Sequence, residues 1–442
     1  MHSPGKGRDK LKYHDIGLMA RIAVTGALTL GVAGAGISAF AAGAGTAYAA
    51  GTIRYVGAWV GGDTSCASPG YTKVQAAVNA ASPGDTVYLC GTTPFSEQVI
   101  ITKSITLTGG RGATIAAPDP WVASADPLPP QFASDSLFVP QAIVVAWGHG
   151  VHVTIRGLTI TGPLPTNNSC SNEEYGILVI GGASARIDHD AVTNIRDSDS
   201  SLYGCQYGVG IRIGSEYWPT ADFSTFKVED FAGSAAITHT TVSGYQKAGI
   251  VIDGPGSSGQ VSDGTVTGAG PYSALGQIIA QNGIQVSRGA FGQVVHNQVS
   301  GNQYSGSGGA SSGGVLVYGG CGDPLVRHVL VAWNTLINND VGVYLSNSDP
   351  GCAVAPDTRT DAVVTGNRIS DSAVTNTSGF STSPLCGYQA GVSDLGNHDV
   401  IAFNSIYGAG YLNHPSCTVA QPYVTFRIDT TGSIDAIVYS NH

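Results

Sequence analysis

Residues 281–303 read Q-N-G-I-Q-V-S-R-G-A-F-G-Q-V-V-H-N-Q-V-S-G-N-Q and contain two short segments in which apolar and polar residues alternate. The first segment follows Gly283, and the second follows a glycine turn at residues 289–292. Alternation with a period of two is typical of a β-strand that buries one face. This stretch therefore predicts two strands joined by a tight turn.

The same unit recurs along the chain. Its first half begins at seven glycines, Gly176, Gly210, Gly249, Gly283, Gly314, Gly342 and Gly391. Its second half recurs at residues 187–192, 237–242, 261–266, 331–336, 364–369 and 401–406. Because each unit can bury its apolar face only against its neighbours, the repeat predicts a solenoid of stacked parallel strands. The 62 glycines and the low charged fraction of 11% also favour short strands and tight turns.

The first 49 residues are predicted to form an export signal. A basic leader precedes an apolar run from Ile22 to about Gly45, and Ala47-Tyr48-Ala49 is a small-residue cleavage site. A membrane anchor is the alternative, but the small residues and the cleavage site favour removal. We therefore expect a secreted chain that begins near Ala50, with no membrane association after cleavage.

The mature chain is predicted to be acidic. Without the leader it has 15 Lys and Arg against 28 Asp and Glu, which gives a net charge of −13. Such a surface repels phosphate groups, so nucleic acid is not an expected partner. An acidic polysaccharide would need Ca²⁺ or a local basic groove to bind.

All eight cysteines lie in the mature chain, an even number that fits an oxidising compartment. Neighbouring cysteines are about one repeat apart, and stacked strands are close enough for a disulfide. No C-x-x-C spacing indicates a metal cluster. We predict disulfides between successive coils for the pairs Cys66/Cys90, Cys170/Cys205, Cys321/Cys352 and Cys386/Cys417.

The mature chain is predicted to contain two regions. Residues 50–118 are expected to form an N-terminal cap and the first coils, because residues 71–81 have a helical spacing of apolar residues and strand patterns follow them. A solenoid needs such a cap over its first open coil. Residues 119–442 form the repeat body, whose Pro-rich insertion at 119–141 either roofs a groove or lies apart from any ligand.

Residues 74–89, 98–109 and 153–162 resemble secreted proteins of the pectate-lyase-like superfamily. The resemblance extends over nearly the whole mature chain and implies an all-β fold, a right-handed parallel β-helix. The superfamily includes polysaccharide lyases, hydrolases, esterases and epimerases, and members without a known reaction, so it specifies the fold more than the activity. Two short fragments, residues 148–150 and 187–189, are similar to a polygalacturonase histidine turn and a pectate lyase Asp-His motif. Each also fits an ordinary turn or strand end.

Stacking predicts where a site would lie. Equivalent positions of successive coils form rows, so side chains beside the glycine-led strands are expected to make a polar strip. The predicted catalytic residues on this strip are Glu173, Glu174, Arg212, Lys247 and Asp253. Carboxylate pairs support glycoside hydrolysis, and Arg or Lys near a cation supports lyase chemistry. A solvated face of unrelated charges is the alternative.

Aromatic and amide side chains on the strip are predicted to contact sugar rings. The predicted substrate-binding residues are Tyr175, Tyr207, Gln281, Gln285, Tyr318 and Tyr344. Aromatic rings stack on sugars, although they are also good strand formers. The repeated asparagines at 297, 334, 367 and 404 are instead interpreted as a structural ladder of hydrogen-bonded amides.

The sequence contains no dedicated metal motif and implies no cofactor, with Ca²⁺ as the one candidate. A Cys170–Cys205 disulfide would hold Glu173 and Glu174 near Asp197 and Asp199, and carboxylates of this kind suit Ca²⁺. We expect a monomer that acts on an extracellular polysaccharide by hydrolase or lyase chemistry. The alternative is a noncatalytic glycan-binding or structural protein of the cell envelope. The absence of the polygalacturonase and pectin methylesterase catalytic motifs from the sequence favours it.

Overall fold

The named strands of this computed structural model all pair in parallel and form three sheets. The structure describes residues 51–121, 141–166, 170, 173–215, 231–320, 323–348, 359–377 and 386–442. The predicted export signal, residues 1–49, lies outside these ranges, and the described residues belong to one compact unit. Within the ranges, no helix is both long and apolar enough to cross a membrane.

Each sheet is a row of strands contributed by successive coils. Sheet 1 contains β1 (Ile53–Val56), β2 (Thr86–Leu89), β5 (Thr106–Gly109), β8 (His152–Arg156), β11 (Ser184–Asp188), β14 (Ser234–Thr238), β17 (Ser258–Ser262), β20 (Phe291–Val295), β23 (Leu330–Ala332), β26 (Val363–Thr365), β29 (Val400–Ala402) and β32 (Ile437–Tyr439). Sheet 2 contains β4 (Val99–Ile101), β7 (Gln141–Trp147), β10 (Glu174–Ile180), β13 (Val209–Ile213), β16 (Ala248–Asp253), β19 (Asn282–Ser287), β22 (Gly313–Tyr318), β25 (Val341–Ser346), β28 (Gly387–Asp394) and β31 (Tyr423–Asp429). Sheet 3 contains β3 (Phe95–Ser96), β6 (Thr114–Ala116), β9 (Thr159–Thr161), β12 (Ala191–Thr193), β15 (Thr241–Ser243), β18 (Thr265–Thr267), β21 (Gln298–Ser300), β24 (Thr335–Ile337), β27 (Arg368–Ser370) and β30 (Ser405–Tyr407).

The pairing confirms the predicted right-handed parallel β-helix. Each strand pairs with its equivalent one coil further on, and in sheet 2 Ile177 is level with Ile211 and then with Ile250. These side chains are at most 1% exposed and belong to one apolar core. Burying such a column removes apolar surface from water in every coil, so the stack is stabilised by contacts between neighbours.

Close packing between coils explains the repeated glycine. A Cβ atom added to Gly176 would lie 2.5 Å from the carbonyl oxygen of Gly210, and one added to Gly210 would lie 2.6 Å from that of Gly249. The same clash, at 2.5 to 2.7 Å, recurs at Gly283, Gly314 and Gly342. Only glycine lets successive backbones approach this closely, which is why the repeat is visible in the sequence.

A short helix, α1 (Val74–Ala80), contacts the first strands β1, β2 and β4. Its buried residues Val74, Ala77 and Val78 join the core, and the Glu97 carboxylate accepts hydrogen bonds from the backbone N–H groups of Val74 and Gln75. These bonds satisfy two donors that a helix start leaves free. The helix is where the sequence placed it, and its role as a cap stays a prediction. A second helix, α2, covers Ala274–Ile278, and two 3₁₀ turns cover Ser200–Leu202 and Ala409–Tyr411.

The asparagine ladder is confirmed. Oδ1 of Asn334 accepts hydrogen bonds from the backbone N–H and the Nδ2 of Asn297, at 2.9 and 3.1 Å. The same two bonds link Asn334 to Asn367, Asn367 to Asn404, and Asn404 to Asn441. The ladder fixes the turn between sheet 1 and sheet 3, since its four inner members are at most 2% exposed and have these partners.

Three of the four predicted disulfides are confirmed. The Cα–Cα distances are 5.4 Å for Cys66–Cys90, 5.1 Å for Cys170–Cys205 and 6.0 Å for Cys386–Cys417. The fourth predicted pair, Cys321 and Cys352, lies outside the described residues. The bonded pairs are 24 to 35 residues apart, so each cross-link constrains a loop of about one coil.

Several carboxyl groups are buried in the β-helix, and we expect them to make the protein less stable at higher pH. Burial raises the pKa of Asp190 and of Asp371 to about 7, and burial together with the neighbouring Asp394 raises the pKa of Asp399. The folded state therefore holds protons that the unfolded chain, with a carboxyl pKa of about 3.9, releases. Because the folded state binds more protons between about pH 4 and pH 7, the free energy of unfolding falls as pH rises through that window.

Thermal unfolding checks this expectation. The melting temperature should be at least about 5 °C higher at pH 5 than at pH 8. An Asp399→Asn variant, which cannot ionise at that position, should show a smaller difference between the two pH values. A melting temperature that rises from pH 5 to pH 8 in both proteins would contradict the conclusion that these buried carboxyl groups have raised pKa values.

Candidate functional site

The predicted strip follows sheet 2, and its register is as expected. Leu178, Arg212, Val251 and Gln285 pair in sequence along neighbouring strands, followed by Leu316 and Tyr344. Part of this row is shielded from solvent, because Leu178 and Val251 are at most 3% exposed. They belong to a second apolar cluster with Trp147, Tyr175 and Phe231, so the first coils of the strip are covered.

Arg212 and Asp253 form a buried ion pair in the middle of this sheet. Their exposed fractions are 7% and 0%, and Nη2 of Arg212 donates to Oδ2 of Asp253 at 2.5 Å. Oδ1 of Asp253 accepts a second hydrogen bond from the Ser287 hydroxyl at 2.6 Å. Asp253 is therefore fully engaged as an acceptor, which suits a group that positions Arg212 better than one that transfers a proton.

The network continues in both directions from this pair. Nη1 of Arg212 lies 3.7 Å from Oε2 of Glu173, and Nη1 of Arg288 lies 3.1 Å from Oδ2 of Asp253. Arg288 also pairs with Asp323 at 3.4 Å. Five side chains thus alternate in charge along the sheet, and Glu173, Arg288 and Asp323 reach the surface. We call this set the ion network.

Arg288 is a member of this network that was not among the predicted site residues. Arg288 follows Ser287 directly and adopts a left-handed backbone conformation with φ of 52°, which aims its side chain back toward Asp253. The strand register could have identified Arg288, because the preceding residue, Ser287, pairs with Asp253 of the neighbouring coil. Two arginines also stack on tyrosines, Arg212 at 5.4 Å from the ring centroid of Tyr175 and Arg288 at 5.6 Å from that of Tyr318.

At or just before the first residues of β7 and β10 are four buried polar atoms that make no hydrogen bond with the described residues. They are Oε2 of Glu173, Oε2 of Glu174, the hydroxyl of Tyr175 and Oε1 of Gln141. Glu174 pairs with Gln141 across β10 and β7, and its other oxygen accepts a hydrogen bond from Nε1 of Trp121 at 3.0 Å. Buried polar atoms are almost always paired, so four such atoms without a partner among the described residues make this a candidate place for another molecule to bind. We call it the acid cluster.

Burial changes the chemistry of Glu174. The residue has no exposed surface, and its burial raises the pKa of its carboxyl to about 7, with the charge of Asp197 acting in the same direction. A carboxyl group with a pKa near 7 is protonated in mildly acidic solution and can donate that proton. Glu174 is therefore the side chain of the cluster best suited to acid or base catalysis.

Lys247 lies outside the ion network. Its Nζ donates to the backbone carbonyl of Ala280 at 2.9 Å, and no carboxylate among the described residues pairs with it. Burial lowers the pKa of Lys247 to about 8. A lysine with a lowered pKa can act as a base, but the structure does not bring this one into contact with Glu173, Glu174 or Arg212.

The predicted substrate-binding residues fall into two groups. Tyr175, Tyr207 and Gln281 are at most 2% exposed, so these three side chains are covered, and their role in substrate binding stays a prediction. The hydroxyl of Tyr207 donates to Asp197 at 2.8 Å, and Gln281 bonds to the backbone of Tyr245 and Ala269. The second group, Gln285, Tyr318 and Tyr344, is partly exposed.

The Cys170–Cys205 disulfide forms as predicted, but the carboxylates near it have partners of their own. Asp197 accepts hydrogen bonds from Tyr207 and from the backbone N–H of Asp199, and Asp199 accepts one from the N–H of Ser201. In the part of the chain that the structure describes, Glu173, Glu174, Asp197 and Asp199 do not form a group of three converging ligands. The suggestion of Ca²⁺ at this edge stays a prediction.

Neither a family model nor a curated protein sequence matches this chain. Solved structures do resemble it. The GH136 lacto-N-biosidase from Eubacterium ramulus has a TM-score of 0.48 at 11% identity, over 88% of this chain and 67% of that one. The Dettilon tailspike protein has a TM-score of 0.42 at 13% identity, over 83% and 65%.

The periplasmic alginate epimerase AlgG has a TM-score of 0.39 at 11% identity, over 81% of this chain and 77% of that one. This chain thus spans about two thirds of the length of the biosidase and of the tailspike. Similarity at this level concerns the fold, which the strand pairing of the chain establishes by itself. Activity and substrate must be argued from the acid cluster.

Proposed function

We propose that this β-helix is a secreted protein that acts on an extracellular polysaccharide at the acid cluster. The observation that supports this proposal is the acid cluster, four buried polar atoms that make no hydrogen bond with the described residues. One of them, Oε2 of Glu173, lies 3.7 Å from Arg212. A carbohydrate can fill such a set because each of its hydroxyl groups both donates and accepts hydrogen bonds. Glu173 and Arg288, at the surface of the ion network, would contact the same chain further along the sheet.

Glu174 would supply the acid or base of the reaction. In a hydrolase it would protonate the oxygen of the leaving sugar, and Glu173 would be the second carboxylate. In a lyase it would accept the proton next to a sugar carboxylate, and Arg212 would stabilise the negative charge that develops there. Asp253 would hold Arg212 in place in both reactions. Lys247 stays a predicted base that these contacts do not support.

A noncatalytic glycan-binding protein is the second candidate, and one observation favours it. Glu174 has no exposed surface, so a sugar can reach its carboxyl only if the hydrogen bond from Trp121 breaks and the cluster opens. A protein that only binds glycan would not need that opening. The partly exposed Gln285, Tyr318 and Tyr344 would then be the contact surface.

Secretion is part of the proposal. Three disulfides fit an oxidising compartment, and the leader at residues 1–49 has the pattern of an export signal. The acidic charge of the mature chain disfavours nucleic acid as a partner. We propose that the secreted form is a monomer without a membrane anchor.

Incubation of the purified protein with a panel of neutral and acidic polysaccharides tests the proposal. We expect products, seen either as new reducing ends from hydrolysis or as the ultraviolet absorbance of unsaturated ends from a lyase. Binding without products, measured by affinity electrophoresis on the same panel, would favour the noncatalytic candidate. Neither binding nor products on any member would contradict both.

A further inference from the structure

A second group of side chains that suits a ligand lies at the turn between sheet 1 and sheet 3. Asp188 ends β11, and His189 follows it in the turn. Thr238 ends the neighbouring strand β14 at the same level, and His239 follows it. The two histidines therefore occupy equivalent positions in successive coils, and their rings stack with a centroid separation of 4.5 Å.

Both imidazoles direct a nitrogen at one carboxylate oxygen. Nδ1 of His189 lies 2.8 Å from Oδ1 of Asp188, and Nδ1 of His239 lies 3.5 Å from the same atom. One ligand atom from each residue lies within 4.8 Å of the others. Two ligands of one metal ion, each about 2.1 Å from it, are separated by about 3 Å, so these spacings are close to those of a metal site.

Exposure and support also suit a metal site. The His189 and His239 side chains are 55% and 52% exposed, whereas Asp188 is 5% exposed. The buried carboxylate is fixed by a hydrogen bond from the Thr238 hydroxyl at 2.7 Å. A bound ion would therefore have one rigid ligand, two ligands that can adjust, and coordination positions open to water or to another molecule.

Nearby charges limit how tightly an ion can bind. Arg156 and Arg186 lie 3.5 and 3.6 Å from the other oxygen of Asp188, Oδ2, and would repel a cation. Both are more than 60% exposed, so they can turn toward solvent at little cost. Asp263 occupies the same turn position one coil beyond His239 and adds negative charge on that side.

We propose that Asp188, His189 and His239 form a binding site for a divalent transition-metal ion. Two imidazole nitrogens and one carboxylate oxygen favour Zn²⁺, Ni²⁺ or Cu²⁺ over Ca²⁺ and Mg²⁺, which prefer sites made of oxygen atoms. The site is on sheet 1, whereas the acid cluster is on sheet 2. It therefore stands independently of the polysaccharide proposal.

Calorimetric titration of the mature protein with ZnCl₂ and with NiCl₂ tests the site. The protein should carry no histidine tag and should first be treated with a chelator. We expect one ion per chain, and His189→Asn and His239→Asn should each weaken binding at least tenfold. Asparagine is the replacement of choice because both histidines have a positive φ, 59° and 50°, which asparagine tolerates.

Two control variants make the test specific. His296 has the same turn position two coils beyond His239 and a φ of 58°, but it stacks on Trp333 and pairs with no described carboxylate. His296→Asn should change the affinity less than twofold. Arg186→Gln should strengthen binding severalfold, because it removes a repelling charge.

A crystal of the unmodified protein soaked in ZnCl₂ gives a readout that needs no variant. An anomalous peak between His189, His239 and Asp188 is the expected result. The proposal is overturned if no peak is found there, or if His296→Asn weakens Zn²⁺ binding as much as His189→Asn and His239→Asn do.

Discussion

Replacing Glu174 by glutamine is expected to lower polysaccharide turnover by about a hundredfold or more, which is the usual contribution of a general acid or base. Glutamine has nearly the same shape and can still accept the hydrogen bond from Trp121. It cannot donate or accept the catalytic proton. The rate constant of turnover should fall while the affinity for the polysaccharide stays within about threefold.

The pH dependence of turnover then shows which reaction takes place. Because the pKa of Glu174 is about 7, it is protonated below that pH and ionised above it. A hydrolase that uses Glu174 as an acid should lose activity as pH rises through 7, and a lyase that uses it as a base should gain activity there. Neither change should be seen in the residual activity of Glu174→Gln.

A matched control separates catalysis from general damage to the fold. Asp399 is also a fully buried acid with a raised pKa, but it lies on a distant coil, beside Asp394 and Thr360. Asp399→Asn should retain turnover within about twofold. If Glu174→Gln retains full turnover on a substrate that the protein degrades, Glu174 is not the catalytic group.

Replacing Asn334 by alanine is expected to destabilise the protein by about 3 to 5 kcal/mol, because it leaves several buried polar groups without partners. Asn334 is 1% exposed, and its Nδ2 donates to the carbonyl of Val294 and to Oδ1 of Asn367. Its Oδ1 accepts from the backbone N–H and the side chain of Asn297. Urea denaturation followed by circular dichroism measures the loss.

The control for this variant is Gln298→Ala. Gln298 is exposed on the neighbouring strand β21, so its removal should change stability by no more than about 0.5 kcal/mol. A loss at Asn334 no greater than that at Gln298 would show that the ladder does not stabilise the β-helix. A loss of cooperativity, seen as two transitions, would instead show that the coils on either side unfold separately.

Much of the fold was predictable because successive coils pack on each other through the same kinds of contact. The glycine found in seven of the ten sheet 2 strands is required by the carbonyl of the next coil. Asn334, Asn367 and Asn404 are each required by the backbone amide of the preceding coil. Such requirements recur in successive coils, so they appear as a period in the sequence. The disulfide pairs were predictable for the same reason. The two cysteines of each pair are about one coil apart along the chain, and stacking brings such positions close together.

The candidate sites were less predictable, because they depend on contacts that do not repeat. The sequence predicted Glu173, Glu174, Arg212 and Asp253 as catalytic residues. No pattern in it indicated that Glu174 is buried while Glu173 reaches the surface. Exposure at these positions depends on how the irregular segments between the strands pack. Those segments differ in length and composition from coil to coil, so no repeating pattern in the sequence predicts how they pack.

The repeat in the sequence determined the parallel β-helix, the direction of the core side chains and the asparagine ladder of the last coils, since each follows from a local pattern that successive coils share. The right hand of the helix was implied by the superfamily resemblance. The tertiary structure decided which polar side chains meet. Arg288 reaches Asp253 from 35 residues away, and His239 approaches Asp188 across a whole coil. Stacking of the coils brings such residues within a few ångströms of each other. The physical reason that the sequence does not predict these contacts is that the separation of two residues along the chain determines neither the position of their coils in the stack nor the path of the loops between them.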